Sequence, residues 1–174
     1  MTDEHAEEVV GEVLAIFVFP EQRGPATPLS EVEAVAGRGL AGDHPRKPHR
    51  EVTLLSQQSW GEATAPFGGE LPPETRRANL LIDGDLAGTI GRRLRVGGVE
   101  LLVRGETVPC ERMNEARAGL RKMLSVQMRG GVFGQVVKGG LIRVGDRVTA
   151  TEAPAESRLQ EELGFPPARD EAGG

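Results

Sequence analysis

Hydrophobic positions in this chain fall mainly into short β-prone runs set off by glycine and proline, and only a few stretches carry helical spacing. Val9 to Phe19 reads as a first strand, with Val13, Ile16 and Val18 among its β-formers and Pro20 as its stop. Glu51 to Leu55, Leu80 to Ile82, Leu94 to Val96, Val99 to Val103, Val132 to Val137, Leu141 to Val144 and Arg147 to Ala150 continue the series. Gly97-Gly98 is a two-residue hairpin signature, and Asp83-Gly84-Asp85 turns the chain after its strand. Gly139-Gly140 and Gly145-Asp146 divide the last three strands, which read as a closing meander.

Helical signals are fewer. Ser30 with Glu33 fits a capping box and predicts a short helix through Ala36, ended by Gly37. Ser56 caps a predicted helix from Gln57 through Trp60 to about Thr64, broken by Pro66 and Gly68-Gly69, with the tryptophan packed on the core. Met113, Ala116, Leu120 and Met123 or Leu124 recur at helical spacing, so Met113 to Met128 is predicted amphipathic, interrupted at Gly119, with its methionines in the core. Many short strands with glycine turns predict a mainly β, mostly antiparallel architecture that closes into a barrel and so removes its exposed edges. The expected organisation is an acidic tail at residues 1–8, a single barrel domain over 9–150, and a tail over 151–174 with a short helix around Arg158 to Leu163.

Composition narrows the function classes. The 174 residues carry a formal charge of -5 and 3% aromatics, which gives neither the basic footprint nor the stacking residues of a nucleic-acid partner. The acidic N-terminus has no apolar signal region, and no apolar run is long enough to span a bilayer, so neither a membrane nor a secretory setting is expected. One cysteine cannot make an internal disulfide, which fits a reducing, cytoplasmic compartment.

That cysteine lies in Val108-Pro109-Cys110-Glu111-Arg112, directly after the Gly97-Gly98 hairpin. An extended backbone here would put Val108, Cys110 and Arg112 on one face. A guanidinium beside the sulfur favours the thiolate, the nucleophilic and metal-ligating form. The isolated pentapeptide fits a small buried apolar cysteine as well. Upstream, Gly37 to His44 holds three glycines in six residues and leads into Arg46, Lys47, His49 and Arg50, a basic cluster suited to a phosphate or carboxylate ligand or simply to a solvated loop. Arg77 and Asn79 stand at the mouth of the Leu80 strand, where they could face a ligand or stabilise the turn. Asp43, His44 and His49 form a weak candidate metal set.

The ordered pieces are distinctive together. They are Gly39 to His44, His49 to Leu55, Arg77-Ala78-Asn79-Leu80, Pro109-Cys110-Glu111-Arg112, Gly130-Gly131-Val132, and Ile142-Arg143-Val144-Gly145-Asp146. In that order they resemble the MOSC family, named for the C-terminal domain of molybdenum cofactor sulfurases, over roughly Ser30 to Val148. The resemblance implies a β-strand-rich, barrel-like fold and a cysteine, here Cys110, that carries sulfur as a persulfide or ligates the molybdenum of a pterin cofactor. It also implies that Arg77, Asn79 and Arg112 lie near the pterin, and it matches Asp43 and His44 to a family motif. Ala78 and Thr107 depart from many relatives, which often have Glu and a basic residue there. No pyridoxal-phosphate-binding desulfurase domain fits in this length, so pyridoxal phosphate is not expected.

The reading that follows is a stand-alone member in which Cys110 handles sulfur or molybdenum, while His44, Arg50, Arg77, Asn79 and Arg112 shape an anionic-ligand pocket. Its expected partners are molybdopterin or another small anion, and a sulfur-donor or electron-transfer protein. One alternative is a molybdenum-dependent reductase of N-hydroxylated compounds fed by an external electron donor. Another is a non-catalytic barrel that binds an anion or a protein, with Cys110 inert.

Overall fold

The computed structural model describes residues 7–68 and 71–152. In chain order the elements are β1 (Glu8–Val18), β2 (Thr27–Leu29), β3 (Glu31–Val35), β4 (Gly39–Leu40), β5 (Val52–Ser56), α1 (Gln57–Thr64), β6 (Leu80–Asp83), β7 (Arg92–Val96), β8 (Val99–Glu106), α2 (Glu111–Ala116), α3 (Leu120–Ser125), β9 (Val132–Lys138), β10 (Gly140–Arg143) and β11 (Arg147–Glu152). Seven strands close a barrel in the order β1-β6-β5-β9-β8-β7-β11, and β11 pairs back onto β1. The expected barrel is therefore observed. Its pairs are antiparallel except β5 with β6, which run parallel because the intervening segment with α1 crosses over between them.

Two expectations are corrected. Ser30 to Ala36 is not helical: β3 alternates exposed Glu31, Glu33 and Val35 with buried Val32 and Ala34, a period of two that overrides the local capping signal. Pairing with β10 sets Val32 opposite Ile142, and both side chains enter the barrel core. Nor do the last three strands form a meander. β9 lies between β8 and β5, β10 leaves to join β3 and β4 in a separate three-stranded sheet, and β11 seals the barrel between β7 and β1. The helical segment after Cys110 is interrupted as expected, with Gly119 at φ 91° between α2 and α3. β1 starts at Glu8 and β11 ends at Glu152, while the acidic tail's residues 1–6 and the helix expected near 158–163 lie outside the described residues.

All five residues of β5 are buried, because this strand is walled by apolar groups on both sides. Its inner face, with Val52 and Leu54, joins the barrel interior alongside Leu80, Ile82, Leu101 and Val103. Its outer face, with Leu55, joins Leu81 under the helices, where Trp60, Met113, Leu120 and Leu124 are packed. Ser56 caps α1 by accepting from the Ser59 amide at 3.4 Å, and the Trp60 indole donates to the Leu71 carbonyl at 3.0 Å. The outer cluster seats α2 and α3 against the barrel, and α2 begins at the residue after Cys110.

Close packing and open space separate two glycines. A Cβ at Gly11 would fall 1.5 Å from the Asp83 carbonyl oxygen, whereas one at Gly61, inside α1, would meet nothing within 4 Å. Gly11→Ala is expected to lower unfolding free energy by about 3 kcal/mol through forced separation of β1 from β6. Gly61→Ala is expected to raise it by about 0.5–1 kcal/mol. Urea midpoints of the two variants check both signs.

Candidate functional site

The site is built from consecutive residues that point their polar groups in different directions. The 3-10 turn Pro73–Arg76 delivers the Arg76 side chain inward, leaving the residue 8% exposed. Its Nε donates to the Gly130 carbonyl at 3.0 Å and its Nη2 to the Thr107 carbonyl at 2.8 Å. Gly130 has to be glycine for this approach, since a Cβ there would lie 2.5 Å from the Thr107 oxygen. Burial lowers the Arg76 pKa, and Cys110 beside it acts in the opposite sense. Arg77 follows in the left-handed region at φ 64° and sends its guanidinium to the carbonyls of Gly24 at 2.6 Å, Gln22 at 3.0 Å and Glu21 at 3.3 Å, over the Phe19 ring.

Asn79 is fully buried. Its Oδ1 accepts from the Thr53 amide at 3.0 Å and its Nδ2 donates to the Phe17 carbonyl at 3.1 Å, so the side chain ties β1, β5 and β6 together.

Cys110 follows β8 by way of Thr107, whose amide donates to the Gly131 carbonyl at 2.9 Å, and the buried Pro109. It stands at the N-cap of α2 with extended backbone, φ −108° and ψ 177°. The extended stretch thus stops at Cys110, and Arg112 is already helical, which corrects the expectation of one shared strand face. Cys110 is exposed, contrary to the small-buried-cysteine reading.

The thiol lines a cleft of about 220 Å³ together with His44, Arg46, Arg76, Arg77 and Arg112. Asp43 stands behind this wall. Its Oδ1 accepts from the Phe19 amide at 2.8 Å, and its Oδ2 accepts from Arg46 Nε at 2.5 Å. His44 Nδ1 lies 2.9 Å from the Phe19 carbonyl, which can only accept, so that nitrogen carries the ring proton. Arg112 Nη1 donates to the Gln22 carbonyl at 3.3 Å. A carbonyl satisfies an N–H without neutralising the charge behind it, so the cleft keeps a cationic wall. The Arg77 pKa is lowered first by burial and then by Arg112 and Arg46, with Asp43 opposing.

Cys110, His44, Arg77 and Arg112 therefore converge, and Asn79 and Arg50 do not line the cleft. Arg50 is exposed and stacks on Phe133 at 4.4 Å. His49 sits with Arg104, its amide donating to Glu51 Oε2 at 3.2 Å. Among the described residues no three His, Cys, Asp or Glu side chains group to hold a metal ion, so the Asp43-His44-His49 set is not assembled. Arg76 is the contributor that sequence reasoning did not assign to a ligand, while Arg46 comes from the basic cluster read as suited to an anion. The Arg76-Arg77 doublet was visible, but which guanidinium turns inward depends on the left-handed backbone of Arg77.

The sequence profile of the MOSC domain family matches residues 41–149, more than half of the chain. The chain belongs to the MOSC domain family. The MOSC fold recurs in the crystal structure of the YuaD protein from Bacillus subtilis, at TM-score 0.70 and 16% identity, covering 86% of this chain and 100% of that one. YiiM from Escherichia coli gives TM-score 0.65 at 15% identity, with 88% and 76% covered. YiiM from Geobacillus stearothermophilus gives 0.61 at 14%, with 87% and 78% covered. At these identities the likeness is one of fold. No curated protein sequence matches this MOSC chain.

Two measurements test the architecture of the site. Arg76→Ala leaves the Thr107 and Gly130 carbonyls without their donor and is expected to cost about 3 kcal/mol of unfolding free energy, read by chemical denaturation. Glu51, buried with Oε1 accepting from the Val136 amide at 3.3 Å, has its pKa raised by desolvation. The folded state then holds that proton more tightly than the unfolded state. Its stabilising share is complete below the ordinary carboxylate pKa and is lost as pH rises through the raised value. The urea midpoint of the natural chain minus that of Glu51→Gln should fall from acid to neutral pH, and a pH-independent difference would contradict this assignment.

Proposed function

We propose that this MOSC domain holds a small anionic ligand in the arginine-lined cleft and uses Cys110 as the sulfur-carrying or molybdenum-ligating atom beside it. The observation that carries this reading is the exposed thiol opening into the same cleft as Arg76, Arg77 and Arg112. An inert cysteine sealed in the core has no support in that placement.

The donor set fits the molybdenum-pterin cofactor that the family implies. A soft sulfur ligand suits molybdenum or sulfane sulfur, and guanidiniums suit the phosphate of a pterin cofactor. Cys110 would hold the metal, and Arg76, Arg77 and Arg112 would hold the phosphate. When bound, the cofactor supplies the redox chemistry. The protein's own share is positional: Arg76 fixes the backbone leading to Cys110, Arg77 fixes residues 21–24, and the Phe19 carbonyl holds the His44 ring through Nδ1.

The test is expression in a host competent in molybdenum cofactor synthesis, followed by assay of bound molybdenum and pterin and by weighing the Cys110 peptide. We expect either cofactor copurifying or one extra sulfur atom on Cys110, and we expect Cys110→Ser to abolish whichever is found. Absence of both, with Cys110→Ser behaving as the natural chain, defeats the proposal. Turnover of an N-hydroxylated base with an artificial reductant separates a reductase from a carrier in the same preparation.

A further inference from the structure

The charge balance of the cleft narrows the class of molecule that meets Cys110. Asp43 is committed to Arg46 and to the Phe19 amide. Among the described residues, Arg76, Arg77 and Arg112 have no carboxylate within ion-pair distance; their described hydrogen bonds go to backbone carbonyls. Glu74 and Glu115 line the neighbouring cleft, to which Arg77 and Arg112 also contribute a wall. On the Cys110 side, three cations therefore face one cavity. Packing like charges around a thiol is unfavourable unless an anion joins them, and a multiply charged anion gains most where burial weakens screening.

We propose that the cleft accepts a small oxyanion bearing a terminal sulfane sulfur, of the thiosulfate type, as the donor that loads Cys110. This rests on the sulfur-carrying form of the function proposed above. The Cys110 thiolate attacks the terminal sulfur of the donor, a bond forms between Sγ and that atom, and the sulfur–sulfur bond of the donor breaks with its electron pair leaving on sulfite. The cysteine sulfur is oxidised to the persulfide level and the central sulfur of the donor is reduced to sulfite, so no external oxidant enters. Arg76, Arg77 and Arg112 remain protonated throughout and stabilise the negative charge that moves from thiolate to sulfite. The cleft, at about 220 Å³, admits such a dianion beside the exposed sulfur.

The experiment mixes the reduced, full-length chain with thiosulfate and reads released sulfite and intact mass, then adds cyanide as a general sulfur acceptor and reads thiocyanate. One equivalent of sulfite, one added sulfur and its recovery as thiocyanate are expected. Cys110→Ser should give none of the three. Arg112→Gln, on the half-exposed face of α2, should slow loading by thiosulfate at least tenfold while leaving alkylation of Cys110 by neutral iodoacetamide within twofold. Absence of sulfite release from a chain whose Cys110 is fully alkylated by iodoacetamide overturns the proposal, as does equal slowing of both reactions in the Arg112 variant. A parallel arm offers cysteine with a cysteine desulfurase. If that arm loads Cys110 and thiosulfate does not, the donor class falls and sulfur carriage stands; if neither arm loads it, the carrier form falls as well.

Discussion

A buried guanidinium holds this site together. Arg76 reaches from the turn before β6 to carbonyls on two other segments, Thr107 after β8 and Gly130 before β9, and these segments flank the thiol. Removing a charged donor from water is costly, and hydrogen bonds to two carbonyls in a well-packed surround offset that cost only while the geometry is kept. Cys110 is therefore placed by a group from elsewhere in the chain. A one-residue displacement along the Arg76-Arg77 pair would instead send this side chain toward the 21–24 loop.

The same economy appears in the pairing of Asp43 and His44 with Phe19. Both backbone groups of Phe19 are taken by these neighbours, the amide by the Asp43 carboxylate and the carbonyl by the His44 amide and ring. The end of β1 is thereby anchored to the glycine-rich loop, and Arg77 stacks on the Phe19 ring. Side chains that would read as ligand groups in a list of polar residues act here largely on backbone, and the free cationic surface is what remains after those bonds are made.

Much of the barrel was legible because its strands carry their own punctuation. The Gly97-Gly98 hairpin, the Ser56 cap and the interruption at Gly119 each depend on a few neighbouring residues, and local chemistry decides them. The failures came where distant partners decide. Glu33 looks like half of a capping box until Ile142 is placed opposite Val32, and the strand Gly140–Arg143 looks like part of a meander until it is drawn to β3. The site divides in the same way. Cys110, Arg77, Arg112 and His44 were identifiable as candidates from motif order, while Asn79 proved to be a tie between strands, and Arg76 was hidden by a backbone conformation that no residue type announced.

Closure of the barrel by β1 and β11 has a bearing on how the molecule comes into being. Glu8 lies opposite Ala150, so one seam joins residues separated by almost the whole described chain. Contacts of such separation carry a large loop-closure entropy and form late. On the ribosome, the Glu8 to Glu12 part of this β1 edge must wait unpaired until β11 has been synthesised, while β6 covers the other edge and β2 covers only the Ile16 to Val18 end of this one. An uncovered stretch of β1 edge therefore persists until β11 is present to close the barrel.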